Sequence, residues 1–173
     1  MSVNVTIKWD LRFLHLARHV SEWSKDRTKV GAVIARPDRV VAALGYNGLP
    51  RGVNDDPERY ENRERKLKTI VHAEANALLM AKQDLTGFVL YTWPMQSCSR
   101  CAGLAIQSGI VRVVAPAPPQ ELLERWEEDF ELAQQMFTEA GVTFVLYPLE
   151  KAKQIASGGT TLSVGAVAAK QLE

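Results

Sequence analysis

The first part of the chain shows two kinds of apolar periodicity in succession. From Trp9 to Trp23, apolar residues recur every three or four positions, which predicts an amphipathic helix. Two runs rich in β-branched residues follow, Val30–Ala35 and Val40–Leu44, and the short polar segment between them predicts a β-hairpin. The next segment, Gly45–Arg63, is rich in Gly, Asn, Asp and Pro without a sustained period, so we expect a long surface loop there.

The rest of the chain alternates between helical and strand patterns. The predicted elements are a helix that begins near His72, a strand over Phe88–Thr92, a helix over Cys98–Ser108, a strand over Val111–Ala115, a helix over Glu121–Ala140 and a strand over Val142–Tyr147. Strands that alternate with helices in this order form a sheet that helices cover on both faces. The pattern therefore predicts an α/β fold, a three-layer α/β/α sandwich around a five-stranded mixed sheet.

The composition is typical of one compact domain. The chain has 173 residues, of which 46% are hydrophobic and 24% are charged, and these fractions disfavour disordered and fibrous classes. We expect a single domain over residues 1–150. Residues 151–173 form a predicted tail that is flexible or docked on a neighbouring subunit, because the small residues that dominate from Ala156 onward bury little apolar surface.

Charge and hydropathy disfavour two classes of partner. The formal net charge is +1, which provides no broad positive field for a polyanion, so nucleic acid is not an expected main partner. No apolar run approaches the ~18 residues that a membrane span needs. Lys8, Asp10 and Arg12 also interrupt the segment where a signal peptide would be apolar. The sequence therefore predicts a cytoplasmic protein without a membrane partner.

The two cysteines of the chain, Cys98 and Cys101, have two residues between them. In a reducing compartment this spacing indicates metal binding or redox chemistry rather than a structural disulfide. Both cysteines lie at the start of one predicted helix, where thiolates are stabilised, while His72 and Glu74 lie at the start of another. One nitrogen and two sulfur ligands suit zinc and leave a fourth position for water. We therefore expect a catalytic zinc site with ligands His72, Cys98 and Cys101, and with Glu74 as the base.

Each of these residues also has a plainer explanation. A C-x-x-C pair occurs in thiol redox enzymes and in structural zinc sites, although a structural site made only of cysteines needs a second pair, which the sequence lacks. His72 by itself would be a hydrogen-bonded histidine at a helix start, and Glu74 would be a first-turn acid favoured by the helix dipole. The combination of the histidine with the cysteine pair favours the metal site.

Several separated motifs resemble one enzyme family. The segment His72-Ala73-Glu74, followed by Pro94, Cys98 and Cys101, resembles the H-x-E and P-C-x-x-C signature of the zinc-dependent cytidine deaminase superfamily. The segments that resemble its deoxycytidylate (dCMP) deaminase branch are Ser24–Asp26, Lys29–Ala32, Gly45–Pro50 and Ile106–Ile110. The resemblance extends from about Trp9 to Tyr147. It implies the cytidine deaminase fold and the hydrolytic deamination of dCMP to dUMP and ammonia, which supplies dUMP for thymidylate synthesis.

Two features depart from the pattern of that family. The family usually has proline directly before the first cysteine, whereas Ser97 stands there in this chain, and the loop Trp93–Ser97 is slightly longer. Some members carry a second, structural zinc ion in the long insertion, but residues 48–71 contain neither cysteine nor histidine. We therefore predict one zinc ion per chain.

The resemblance also implies contacts with the substrate. Hydroxide would attack C4 of cytosine while Glu74 shuttles the proton. Asn47 would hydrogen-bond the sugar, the Ala73 N–H would hold the base, and Trp93 and Pro94 would line the pyrimidine slot. The ordinary alternatives are a turn role for Asn47 and core packing for Trp93. A 5′-phosphate requires local positive charge or donors, and the candidates are Ser24, Lys25, Arg27, Lys29 and Arg51.

Regulation and assembly are further implications of the resemblance. Many relatives are hexamers that dCTP activates and dTTP inhibits at a site around a Gly-Tyr-Asn-Gly loop. Gly45–Gly48 keep that motif, so effector binding at Tyr46, Gly48 and Arg51 is a hypothesis for this chain, with Mg²⁺ accompanying a triphosphate effector. The alternative is that these glycines only shape a turn beside the pocket. We expect a homo-oligomer, with a hexamer favoured over a dimer.

Two other functions stay open at the level of the sequence. The altered loop before Cys98 is compatible with a deaminase of another small base or nucleoside, such as cytidine, guanine or a modified cytosine nucleotide. A protein of a different class would be a catalytically silent zinc module that serves binding or assembly. Glu74 argues against that class, because a structural zinc site has no use for an unligated carboxylate.

Overall fold

Five strands in one mixed sheet organise residues 3–154, the part of the chain that the computed structural model describes. The strands are β1 (Gly31–Ala35), β2 (Val41–Tyr46), β3 (Val89–Trp93), β4 (Arg112–Pro116) and β5 (Thr143–Tyr147). The helices are α1 (Val3–Ser21), α2 (Glu58–Glu61), α3 (Arg63–Thr69), α4 (Ala73–Ala81), α5 (Ser99–Gln107), α6 (Gln120–Glu139) and α7 (Leu149–Gln154). The strand order is β2-β1-β3-β4-β5, with β1 antiparallel to both neighbours and β3, β4 and β5 parallel. This sheet confirms the predicted α/β fold class.

Each face of the sheet carries its own apolar core. Helices α4, α5 and α6 cover one face, and α1 and α7 cover the other. Successive side chains of β1 point to opposite faces, so Ala32 and Ile34 belong to the first core while Val33 and Ala35 belong to the second. A strand buried on both faces has a continuous apolar sequence instead of an alternating one, which explains the unbroken run in β1.

Two glycines allow helices to lie directly on the sheet. A Cβ atom at Gly31 would lie 2.0 Å from the carbonyl oxygen of Ala17, and one at Gly45 would lie 2.2 Å from that of Ala73. Neither place has room for a side chain, so Gly45 lets the start of α4 pack closely on β2. That close approach sets the position of the helix start that carries His72 and Glu74.

A buried ion cluster joins α1 to the sheet. Asp10 is 1% exposed, and its carboxylate oxygens accept hydrogen bonds of 2.7 and 2.6 Å from the Arg112 guanidinium. The hydroxyls of Tyr91 and Tyr147 donate to the same carboxylate at 3.1 and 2.8 Å. Burial, together with the charge of Asp10, raises the pKa of both tyrosines and keeps them protonated as donors. The cluster links α1 with β3, β4 and β5 across the second core.

The structure differs from the sequence prediction between β2 and α4. The predicted loop Gly45–Arg63 contains the end of β2 and the helix α2, and α3 begins at its last residue. Both helices are short and have no buried residue, so no apolar period marks them in the sequence. Helix α1 also begins at Val3, ahead of the predicted start at Trp9.

The C-terminal part of the described chain also differs from the prediction. Residues 151–154, assigned to the tail, complete helix α7, and Ala152 is buried in the second core. The Ala152 carbonyl oxygen lies 3.0 Å from Nε2 of His15 on α1. A helix of six residues shows too little periodicity to be recognised from sequence. The rest of the predicted tail lies outside the described residues.

No helix within residues 3–154 has the length and apolar character that crossing a membrane requires.

Candidate active site

The starts of helices α4 and α5 face each other at one end of a cleft. His72 is the N-cap of α4 and Cys98 is the N-cap of α5, both with extended backbone, while Cys101 lies in the first turn of α5. The Nδ1 atom of His72 lies 3.4 Å from Sγ of Cys98 and 3.5 Å from Sγ of Cys101. The structure thus brings together the three side chains that the sequence analysis proposed as ligands.

This donor set fits a tetrahedral zinc ion. Zinc lies about 2.0–2.1 Å from a histidine nitrogen and about 2.3 Å from a thiolate sulfur, so tetrahedral angles separate the two ligand atoms by about 3.6 Å. The distances of 3.4 and 3.5 Å from His72 to the two sulfurs agree with that separation. Zinc bound by these three residues would supply Lewis acidity and would acidify a water in the fourth position.

The two thiols have unequal affinities for the proton. A hydrogen bond from the Cys101 thiol, joined by one from His72, lowers the pKa of Cys98 to about 4. The hydrogen bond with Cys98 in turn raises the pKa of His72, and it raises that of Cys101 as well. A metal ion binds both sulfurs as thiolates, so its binding releases any proton that the pair still holds.

Glu74 lies beside the three ligands without belonging to them. It is in the first turn of α4 and is 4% exposed. Burial, followed by the negative charge of Cys98, raises the pKa of its carboxyl group. A carboxyl group with a raised pKa can accept and return a proton more easily at neutral pH. The arrangement suits a proton carrier at the inner end of the cleft.

Helix α6 holds the segment that carries the cysteines. The carboxylate of Asp129 accepts hydrogen bonds from the N–H and the hydroxyl of Ser99, at 3.0 and 2.6 Å. The Gln96 side chain donates to the carbonyl oxygen of Phe130 at 3.1 Å and accepts from Gln134 at 2.9 Å. Both sides of Cys98 are thus attached to one helix, which makes the ligand geometry rigid.

The cleft that contains these groups has both buried and exposed lining residues. His72, Ala73, Glu74 and Cys98 line it, and Ala73, Glu74 and Cys98 are buried. The residues that line its apolar part include Met95, Trp126 and Phe130, and the cations that line it within residues 3–154 are Arg63, Lys66 and Arg125.

The three cations of the cleft differ in burial and in ion pairing. The Lys66 ammonium lies 2.8 Å from Asp26, and both side chains are largely buried. Arg63 and Arg125 are exposed, and neither forms an ion pair with another residue of the described chain. These cations are not recognisable in the sequence, because they lie on α3 and α6, outside every motif of the site. Only the packing of those helices brings them to the cleft.

Asn47 and Ala73, the residues proposed to contact the sugar and the base, both line the cleft. Asn47 is buried, its Oδ1 accepts from the Val30 N–H at 2.8 Å, and its Nδ2 donates to the Thr28 carbonyl at 2.9 Å. These bonds hold the backbone segment that precedes β1. Asn47 therefore has a structural role in addition to the proposed contact with the sugar.

The proposed phosphate contacts of the N-terminal segment lie elsewhere. Ser24 is buried and its hydroxyl donates to the carbonyl oxygen of Asn47 at 2.8 Å, while Lys25 forms an ion pair with Asp55. Neither residue lines the cleft. The same holds for the other candidates Arg27, Lys29 and Arg51. The cleft takes its positive charge from α3 and α6 instead.

Trp93 and Pro94 are also absent from the lining of the cleft within the described residues. Trp93 has the same orientation on β3 as Tyr91, and both side chains belong to the core on the α1 side of the sheet. The Arg18 guanidinium lies 5.6 Å from the centre of the Trp93 ring. Trp93 is thus a core residue. Successive side chains of a strand point to opposite faces of the sheet, so the face that Trp93 occupies depends on its position in the strand and not on its nearness to the cysteine motif.

The proposed effector residues meet at a second pocket. Tyr46, Gly48 and Arg51 line it together with Lys25. Asn47 lines both this pocket and the cleft, so the two cavities are neighbours.

Comparisons with known proteins identify the family of the chain. The family model described as the cytidine and deoxycytidylate deaminase zinc-binding region matches residues 7–117. A protein of Aliivibrio fischeri named "Uncharacterized deaminase in luxG 3'region" is 42% identical over 144 residues, which are 83% of this chain and 96% of that protein. The deoxycytidylate deaminase of Homo sapiens is 33% identical over 148 residues, which are 80% of this chain and 79% of that protein.

A solved structure supports the fold. The crystal structure of the dCMP deaminase from the cyanophage S-TIM5 in complex with dCMP and dUMP has a TM-score of 0.63 to this structure at 22% identity, and it covers 85% of this chain and 99% of that chain. The residues that the family model matches include both helix starts of the metal centre. The chain therefore belongs to the cytidine and deoxycytidylate deaminase family.

Proposed function

We propose that this deaminase acts on dCMP and releases dUMP and ammonia. The observation that carries the proposal is the cleft, which contains a zinc-type donor set, a buried carboxyl group and two exposed arginines that form no ion pair within residues 3–154. A cytosine nucleotide has a reacting amino group at one end and an anionic phosphate at the other. The names of the human and phage relatives, which specify deoxycytidylate or dCMP, support this choice.

The apolar and the cationic lining residues of the cleft suit the rest of such a substrate. The flat faces of the pyrimidine ring would pack against Met95, Trp126 and Phe130, while the 5′-phosphate would lie between Arg63 and Arg125. A guanidinium group can donate two parallel hydrogen bonds to a phosphate. Lys66 forms an ion pair with Asp26, so we assign Lys66 a structural role in the wall of the cleft and no contact with the phosphate.

The chemistry that we assign to Glu74 is proton transfer. Hydrolysis replaces the amino group at C4 by the oxygen of water, so a proton must leave the water and reach the departing nitrogen. The Glu74 carboxylate would accept the first proton and return it to the amino group, which then leaves as ammonia. His72, Cys98 and Cys101 would hold one zinc ion, Asn47 would contact the sugar, and the Ala73 N–H at the start of α4 would contact the base.

The proposal is tested by the loss of ultraviolet absorbance of the cytosine ring. We expect the zinc-loaded protein to convert dCMP rapidly, deoxycytidine much more slowly, and guanine not at all. CMP serves as the comparison for recognition of the sugar. Turnover of deoxycytidine, CMP or guanine without turnover of dCMP would contradict the proposal and favour a deaminase of another base or nucleoside.

The assignment of the phosphate to Arg63 and Arg125 makes a separate prediction. Arg63→Ala and Arg125→Ala should each raise the KM for dCMP by about 10- to 100-fold, because a hydrogen bond between charged groups contributes about 1.5–3 kcal/mol. Turnover of deoxycytidine should not change, since it has no phosphate. Lys25→Ala is the matched control, because Lys25 is a cation outside the cleft. A larger effect of Lys25→Ala, or equal losses with both substrates, would refute the assignment.

Regulation and assembly stay predictions for this chain. Effector binding of dCTP or dTTP with Mg²⁺ is supported by the second pocket, which Tyr46, Gly48 and Arg51 line and which shares Asn47 with the cleft. A homo-oligomer, a hexamer or a dimer, is supported by exposed apolar side chains at Leu79 and Met80 of α4 and at Leu104 of α5.

A further inference from the structure

The short helix α3 forms part of the wall of the cleft. Arg63, Lys66, Leu67 and Ile70 line the cleft, and all but Ile70, the C-cap, belong to α3. Residues that are three, four and seven positions apart lie on the same face of a helix. One face of α3 is therefore directed to the cleft, and Arg63 lies on that face.

Few contacts hold α3 on the rest of the protein. None of its residues is buried, and neither apolar core includes any of them. The Lys68 ammonium and the Thr69 hydroxyl donate hydrogen bonds to groups of the same helix. Within residues 3–154, the side-chain hydrogen bond that joins α3 to another part of the chain runs from the Lys66 ammonium to the Asp26 carboxylate, at 2.8 Å.

Asp26 provides a fixed acceptor for this bond. Its side chain is 4% exposed, and the same oxygen that accepts from Lys66 also accepts from the Thr28 N–H at 3.0 Å. The Asp26 N–H donates to the hydroxyl oxygen of Ser24 at 3.1 Å. The segment before β1 thus sets the position of the carboxylate. Because both partners are largely shielded from water, solvent and salt weaken this ion pair less than an exposed one.

We propose that the ion pair between Asp26 and Lys66 positions α3 against the cleft, so that Arg63 can bind the 5′-phosphate of the substrate. Lys66 and Arg63 are three positions apart on one helix face, so a fixed Lys66 also fixes the direction of Arg63. Asp26 and Lys66 are positioning residues in this scheme, and neither touches the substrate. The inference rests on the proposed function, in which Arg63 contacts the phosphate.

Limited proteolysis with trypsin tests the position of α3 without any substrate. Trypsin cleaves after lysine and arginine where the backbone opens locally, so the cleavage rate within α3 reports how well the helix is held. We expect Lys66→Met to raise that rate by at least about 10-fold. Lys68→Met is the matched control, because it also removes one of the trypsin sites of α3 but breaks only an exposed ion pair with Glu64 of the same helix. Equal cleavage rates in the two variants would overturn the proposal.

Steady-state kinetics of the full-length zinc-loaded protein tests the effect on the substrate. Lys66→Met should raise the KM for dCMP by about 10-fold, the lower end of the range expected for loss of Arg63 itself, and should leave kcat unchanged. The KM for deoxycytidine should not change, since it has no phosphate. In the Arg63→Ala background, Lys66→Met should raise the KM for dCMP no further, because the helix then carries no phosphate ligand to misplace.

Asp26→Asn separates positioning from a simple effect of charge. The substitution removes a negative charge from the cleft, so charge alone would lower the KM for the anionic substrate. Positioning predicts that Asp26→Asn raises this KM, as Lys66→Met does. Opposite effects of the two variants would overturn the proposal. If either variant fails to fold, the double variant Asp26→Asn/Lys66→Met, which leaves no unpaired buried charge, should show the same faster cleavage and higher KM.

The two assignments can fail separately. If Arg63→Ala leaves the KM for dCMP unchanged, the proposed phosphate contact is wrong, while the cleavage rates still decide whether the ion pair holds α3. If Arg63→Ala raises this KM and Lys66→Met does not, the phosphate contact stands and the positioning role is wrong.

Discussion

Glu74→Gln should lower kcat for the deaminated substrate by about 10²- to 10⁴-fold, the range that a positioned acid or base contributes. Glutamine has nearly the same shape as glutamate but cannot accept and return a proton. Glu74 is not one of the three ligands, so the variant should keep one zinc ion per chain. Steady-state kinetics together with metal analysis of the purified variant check both expectations.

The control for this variant is Glu139→Gln, which makes the same chemical change at an exposed position near the end of α6. It should leave kcat unchanged. A Glu74→Gln enzyme with more than half of the wild-type kcat would refute the role of Glu74. An inactive variant that has also lost its zinc would show that Glu74 supports the metal centre instead.

Asp10→Ala should reduce the free energy of unfolding by about 3–5 kcal/mol, the cost of removing one partner from a buried ion pair. The substitution leaves the largely buried Arg112 guanidinium without its carboxylate, and it leaves the hydroxyls of Tyr91 and Tyr147 without their acceptor. Urea unfolding of the zinc-loaded protein, read as the shift of the midpoint at constant slope, measures the loss.

A matched surface pair provides the control for this second prediction. Asp38 and Arg36 also form an ion pair, at 2.9 Å, but both side chains are about half exposed. Asp38→Ala should therefore cost about 0–1 kcal/mol, because solvent screens the pair and the broken ends are hydrated. If Asp10→Ala and Asp38→Ala shift the midpoint equally, the buried cluster stabilises the fold no more than the exposed ion pair does, and the prediction is wrong.

The residues of the candidate metal site could be recognised in the sequence because they lie close together along the chain. His72 with Glu74, and Cys98 with Cys101, are each separated by only a few positions at a recognisable helix start. Spacing of this kind determines which side chains leave one turn of a helix together. The elements themselves were predictable for a similar reason, since helices and strands have distinct apolar periods that the long elements of this chain show clearly.

The contacts around the centre could not be predicted in this way. Asp10 and Arg112 are 102 residues apart, and the pair exists only because α1 crosses the sheet over β4. Arg63 and Arg125 reach the cleft through the packing of α3 and α6, whereas Lys25, close to a recognised motif, pairs with Asp55 outside it.

The sequence by itself determined the order of the long elements, the class of the fold and the donors of the candidate metal site, because these depend on local periodicity and on the chemistry of a few neighbouring side chains. Only the tertiary structure decided which face of β3 Trp93 occupies and which cations border the cleft. These features depend on strand register and helix packing, which join residues far apart in the chain.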